Sequence, residues 1–191
     1  LEKATALEPS NPSFRVNLSY AYLRNRQVNR SQAEAKKAIE LDPKRLTAYY
    51  LLGIGYLAER KFGEAEQEAE RLLSIDPTYP EGHILKSDAV IGRLGILLEK
   101  GDDDLNISNE LQKAFEILKK GEEASRSNPN HDRIVKLLEP LQAFVDYYKN
   151  RKPYVPGQPA LPPEEGVTPL RIVSKPRASY TDSARMNGVQ G

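Results

Sequence analysis

Cysteine is absent from the 191 residues, which excludes disulfides and thiolate metal sites and leaves reducing and oxidising compartments equally open. Histidine occurs twice, at His83 and His131, with no pairing between them evident from the sequence, so neither a zinc site nor acid–base catalysis is indicated. No run of about eighteen apolar residues occurs, so no segment reads as a transmembrane helix. A charge excess is missing as well. Lys and Arg number 28 against 27 Asp and Glu. Six of the basic residues (Arg151, Lys152, Arg171, Lys175, Arg177, Arg185) and three of the acidic ones (Glu164, Glu165, Asp182) follow Asn150. Residues 1–150 therefore hold 22 basic and 24 acidic side chains, with no surplus to neutralise phosphates, and nucleic-acid binding is not expected. The chain opens at Leu1 without a signal-peptide pattern and reads as a piece of a longer protein.

What the sequence does contain is a period. Prolines stand at 9, 43 and 77, two intervals of 34 residues, each preceded by an apolar–acidic pair: Leu7-Glu8, Leu41-Asp42 and Ile75-Asp76. Proline cannot supply the amide that the next helical turn needs, so each marks a helix end. Between the second and third lies the most regular stretch, with Tyr49, Leu52, Gly53 and Tyr56, then Phe62, Ala65, Ala69 and Pro77. Leu52 and Tyr56 fall on one face of a first helix. Gly53 is expected to let the second helix, carrying Ala65 and Ala69, approach it closely.

This stretch resembles the tetratricopeptide (TPR) repeat, with Tyr49 in the place of its tryptophan and Ala69 in that of its phenylalanine. The resemblance implies an all-α fold, a superhelix of helix-turn-helix units in which each packs on its neighbours. On this reading residues 1–150 are the repeat domain. Residues 1–11 are the end of a partial repeat, and complete repeats span 12–45 and 46–79. The first complete repeat is expected to use Asn11 or Ser13 as a helix cap. It has Leu18, Tyr22 and small Ser19 on one helix and Ser31, Ala35 and Ala38 on the other, with Arg15 in the aromatic position.

The third repeat, 80–130, is longer. Its stop signal is Asn128-Pro129, and 129 − 77 is 52, which is 18 beyond the period. A hairpin lengthens only if both arms do, so each arm gains about nine residues and the turn at Gly101–Asp104 projects about 13 Å further. Ile96, Leu97 and Leu98 are expected to meet Leu105, Ile107 and Leu111. A capping helix, 131–150, carries Ile134, Val135, Leu138, Leu141, Phe144 and Tyr148, and Pro140 is expected to bend it near Glu139. Residues 151–169 form a Pro-rich linker, a semi-rigid extended spacer of up to about 50 Å.

The end of the chain carries a second resemblance. Pro176, Tyr180, Ala184, Arg185, Gly188 and Gly191 are similar to the opening of the TonB C-terminal domain, with Thr181 in place of that family's second proline. Residues 170–191 therefore read as its truncated start. The resemblance implies a bacterial periplasm or cell envelope, although the composition suits the cytoplasm equally, and envelope transport partners through the remainder of such a domain.

The candidate sites follow from these assignments. His83 takes the aromatic position of the third repeat and is expected to pack, and His131 lies at a helix start. Asp102, Asp104, Asn106 and Ser108 have alternate-oxygen spacing, but Ile107 and Lys113 stand where a calcium loop needs Gly and Glu, so a solvated turn is expected and no metal. No catalytic residue and no cofactor is expected. The resemblance to TPR proteins implies a partner-binding groove at Val16, Tyr20, Leu23, Arg24, Tyr50, Ile54, Leu57, Ala58, Ile84, Asp88 and Ile91. Val16 and Tyr20 occupy the places of the Lys and Asn that clamp a peptide carboxylate in some TPR domains, so that mode is not expected. The apolar, aromatic lining suits a protein or peptide ligand, either an amphipathic helix or an extended segment. The same side chains could instead be covered as core. The expected function is thus a non-enzymatic protein–protein interaction scaffold within a TonB-like envelope protein. The alternatives are an energy transducer in which the repeats are a periplasmic spacer, or an accessory region of an enzyme whose catalytic domain lies elsewhere.

Overall fold

The computed structural model describes residues 2–100 and 104–150, all within a compact unit spanning Leu1–Lys152. The linker at 151–169, the TonB-like stretch at 170–191 and the turn residues 101–103 lie outside the described residues. Among those described there are eight helices and no strand. They are α1 (Glu2–Leu7), α2 (Pro12–Arg24), α3 (Val28–Leu41), α4 (Leu46–Ala58), α5 (Phe62–Ile75), α6 (Pro80–Lys100), α7 (Asp104–Ala124) and α8 (His131–Asn150). Each packs on the next, and α2, α4, α6 and α8 also touch in succession, whereas no helix reaches one more than two places away. Helices α3, α5 and α7 do not touch one another. The first helices of the hairpins are therefore the closely spaced, inner ones and the second helices splay on the outside, the arrangement of a curved solenoid.

The period is visible in the hydrogen bonds as well as in the helices. Arg15, Tyr49 and His83 stand 34 residues apart and each donates to the carbonyl of the proline six residues earlier. Arg15 Nε reaches Pro9 O at 3.2 Å, Tyr49 Oη reaches Pro43 O at 3.0 Å, and His83 Nε2 lies 2.9 Å from Pro77 O. Because a carbonyl only accepts, the His83 proton is on Nε2. Three different side chains thus satisfy the same orphan carbonyl. Asp42, Asp76 and Asn128 each accept from the amide two residues on, at 3.1, 2.9 and 3.0 Å, closing the Asx turns that the residue before each proline promises. Asn11 caps α2 through the Ser13 amide at 3.0 Å. Ser13 itself is not a cap: its Oγ accepts from Arg45 of the next repeat at 3.1 Å.

Each short turn between the arms of a hairpin is a Schellman motif. Gln27 N donates to Tyr22 O and Lys61 N to Tyr56 O, both at 2.9 Å, with Arg26 (φ 59°) and Arg60 (φ 60°) in the left-handed conformation. Between the arms, alanines at 35, 38, 65 and 69 are fully buried. In the first complete hairpin the small contact is a serine pair, with Ser19 Oγ donating to Ser31 O at 2.9 Å. Gly53 plays a different part from the one its spacing suggests. A Cβ placed on it would lie 2.3 Å from Leu85 Cδ2, so it makes room for α6 of the next hairpin rather than for α5.

The third hairpin is lengthened as expected, by slightly different amounts. Helix α6 has 21 residues against 13 in α4, and α7 has 21 against 14 in α5, gains of eight and seven rather than nine each. Two more residues enter the following loop, which covers 125–130 where its predecessor covers 76–79. Val90, Leu94, Ile107, Leu111, Ala114 and Leu118 of the long hairpin share one core with Ile84 and with Ile134, Leu141 and Val145 of α8, and Leu98 packs beside it. Ile96 and Leu97 are half-buried, and Leu105, one of the residues they are expected to meet, has its side chain outside the described residues.

Helix α8 repeats the spacing of α6. His83, Ser87, Val90 and Leu94 recur 51 residues later as Ile134, Leu138, Leu141 and Val145, so α8 stands where a fourth repeat would place its first helix. It runs through Pro140, which is exposed. The amide that Pro140 lacks would have bonded the carbonyl of Lys136, also an exposed residue, and the helix continues past it.

Candidate functional site

The inner helices present their second, fifth, ninth, twelfth and thirteenth residues along one side. For α2 these include Val16, Tyr20, Leu23 and Arg24; for α4 Tyr50, Ile54, Leu57 and Ala58; for α6 Ile84, Asp88 and Ile91. They are not equally available. Leu57 and Ile84 are each only 3% exposed, and Ile84 belongs to the same buried cluster as Ile134, Leu141 and Val145 of α8. Both are core and support the groove from beneath rather than lining it. Val16, Tyr20 and Leu23 are half-buried against Ala35, Leu51 and Leu52. Tyr50, Ile54 and Asp88 are half-buried, and Arg24, Ala58 and Ile91 are exposed.

Sequence reasoning omits α8 from the groove. With α8 in register, Val135 holds the fifth position and Glu139 the ninth, and both are exposed. The missed signal is the recurrence of buried positions at 51 residues, which the longer loop after α7 displaces from the proline count. Arg133 is missed for the same reason. It is paired with the buried carboxylate of Glu81, which Asn130 Nδ2 also approaches at 3.3 Å. The other oxygen of Glu81 is buried without a partner.

Arg133 also donates to the phenol of Tyr50. Burial pushes that phenol up to about 12. The charge and hydrogen bond of Arg133 oppose the rise, and the carboxylates of Asp88 and Glu81 add to it. Tyr50 is therefore a neutral hydrogen-bonding group throughout the physiological range. At the far end of the groove Arg24 Nη1 donates to Tyr20 Oη at 3.1 Å and its guanidinium lies 5.9 Å from that ring, a cation–π contact at the surface.

Asp88 is the odd member. Burial alone pushes its carboxyl up to about 7, and among the described residues no hydrogen bond or salt bridge offsets it. Arg133 of α8 is committed to Glu81 and Tyr50. A folded-state pKa raised above the unfolded value of about 3.9 gives a contribution that is fully present below that value and is lost as the pH rises through about 7. Asp88→Asn should therefore gain stability over the wild type as the pH rises from about 4 to about 7. The gain should reach about 1–3 kcal/mol once partial water contact is allowed for. Urea unfolding of both proteins across that range measures it, and a pH-independent difference between them would refute it.

The remaining candidates resolve simply. His83 is packed and hydrogen-bonded, with burial lowering its pKa. His131 begins α8, its Nδ1 3.1 Å from Ser125 Oγ. Asp102 lies outside the described residues, while Asp104, Asn106 and Ser108 fall on the first turns of α7, where a helix does not wrap an ion. Among the described residues no group of three His, Asp or Glu side chains is placed to hold a metal ion, and no helix is long and apolar enough to cross a membrane.

Comparison with known proteins agrees with this geometry. Residues 12–45 and 46–79 each match the tetratricopeptide repeat family and are two TPR repeats. Among solved structures, a thermophilic TPR protein of Thermus thermophilus superposes with a TM-score of 0.59 at 18% identity, over 71% of this chain and 66% of that one. The O-GlcNAc transferase of Thermobaculum terrenum superposes with a TM-score of 0.51 at 15% identity, over 68% of this chain but only 22% of the enzyme. The TPR domain of Arabidopsis OM64 gives 0.49 at 17% identity, over 68% of this chain and 94% of that domain. At these identities the likeness to the first two establishes the helical repeat fold alone. No curated protein sequence matches the chain.

Proposed function

We propose that this chain is a protein-binding scaffold without catalytic activity of its own, holding a peptide segment along the inner face of α2, α4, α6 and α8. TPR repeats are protein-interaction modules, and that supports the general reading. One observation carries the particular one. The inner face keeps a continuous set of incompletely covered side chains (Tyr20, Arg24, Tyr50, Ile54, Asp88 and Ile91) although α8 packs beside it. Apolar and aromatic side chains with a few polar groups between them suit a peptide whose side chains alternate in kind. The resemblance of residues 175–191 to a TonB domain favours a cell-envelope setting, in which the repeats recruit or space a partner.

The test is a selection from a displayed library of random sixteen-residue peptides, followed by affinity measurements on two matched variants. Ile91 on the inner face is 38% exposed and Ile75 at the end of α5 is 37% exposed, so truncating either removes a similar area. Ile91→Ala should weaken the selected peptides about tenfold or more, the scale of an interface anchor, and Ile75→Ala should leave them unchanged. Equal effects, or none from Ile91→Ala, would refute the reading.

A further inference from the structure

The groove has a chemical asymmetry that points to its ligand. Asp88 lies at the ninth position of α6, with Ile84 at the fifth and Ile91 at the twelfth. Its side chain is half-buried, and no described side chain donates to it. Arg133 is held by Glu81 and Tyr50, and Arg24 by Tyr20, which stands two inner helices away on α2. At the corresponding position of α8 the side chain is again acidic, Glu139, and it is exposed. Two successive inner helices thus carry a carboxylate at the same position, with Val135 one turn before Glu139, and among the described residues no cation pairs with either.

We infer that the occupant of the groove carries a basic side chain, lysine or arginine, flanked by apolar residues, and that Asp88 receives it while Glu139 lines its approach. This rests on the groove reading above and deepens it. A carboxylate partly withdrawn from water without a partner is unfavourable, and a ligand ammonium or guanidinium supplies the missing charge and hydrogen bonds. Ile54, Ile91 and Val135 then accept the apolar neighbours of that residue. An acidic or carboxylate-terminated peptide would face a like charge here, the opposite of a Lys–Asn clamp.

The same displayed library tests this with three proteins: wild type, Asp88→Asn and Asp88→Lys. Peptides selected on the wild type should share one Lys or Arg among apolar residues. Asp88→Asn should weaken them about 10- to 100-fold, the scale of a charge-assisted hydrogen bond. Asp88→Lys should select acidic residues at that position instead. Circular dichroism and melting of each variant accompany the binding data, and Glu139→Gln gives a second, exposed variant that leaves the fold untouched and should weaken the basic peptides about two- to fivefold. Wild-type peptides that bind the groove with no basic position, and that Asp88→Asn binds equally well, overturn this inference and leave the groove reading standing. If no peptide is selected that Ile91→Ala weakens, the groove reading fails and this inference fails with it.

Discussion

Leu85→Ala should lose about 2–5 kcal/mol of stability, and a second substitution, Gly53→Ala, should restore part of it. Leu85 is fully buried, and its truncation removes transfer energy and leaves a cavity at the contact between two hairpins. A Cβ on Gly53 would lie 2.3 Å from Leu85 Cδ2 and 3.1 Å from Cδ1. In the wild type that methyl has nowhere to go. Gly53→Ala alone should therefore cost about 1–3 kcal/mol by overpacking, which exceeds the gain of up to about 1 kcal/mol from replacing a helical glycine. In the double variant the new methyl enters space that the leucine has vacated. The two effects should fall short of additivity by about 1 kcal/mol or more, as expected for side chains in contact. Chemical unfolding of the four proteins gives the coupling. Additivity within about 0.5 kcal/mol would mean that the hairpins do not meet at this point.

The second large effect is a difference in sign between two glycines. A Cβ on Gly95 of α6 meets nothing within 4 Å, so Gly95→Ala should stabilise the protein by about 0.5–1 kcal/mol through helix propensity alone. A Cβ on Gly121 of α7 would come within 2.5 Å of His83 Cβ and Cγ and of Ile134 Cδ1. His83 Cβ is fixed by its own backbone and Ile134 is fully buried, so neither yields easily. Gly121→Ala should cost about 1–3 kcal/mol. Part of that cost comes from displacing the His83 ring from the Pro77 carbonyl it satisfies. Thermal melts of the two variants decide the matter, and a shift of the same sign in both would contradict the packing described.

Much of this is legible in the sequence because the repeat writes local chemistry into fixed places. The prolines and the Asp or Asn before them form the Asx turns directly, so the period, the helix ends and the long third hairpin can be read without tertiary information. Arg15 shows the limit of matching residue types. It stands in an aromatic position and reads as a poor match, yet its guanidinium bonds the Pro9 carbonyl as Tyr49 and His83 bond theirs, and also pairs with Glu34 at 2.7 Å. Spacing within a helix specifies a face but not the helix that covers it. Gly53 therefore reads as a contact within its own hairpin when its neighbour is Leu85, and Leu57 and Ile84 read as groove residues when they lie beneath it. Arg133, Val135 and Glu139 escape notice because two extra residues in the loop before α8 hide its register from a count made between prolines.

The central claim is that a partner lies on the inner face of the stacked hairpins. Backbone amide shifts of the isotope-labelled protein, followed as a selected peptide is added, test that directly. The largest changes should fall on α2, α4 and α6 around Arg24, Ile54, Asp88 and Ile91, with α3 and α5 nearly silent. Changes concentrated on α3 and α5 instead would place the partner on the outer surface and contradict the scaffold described here.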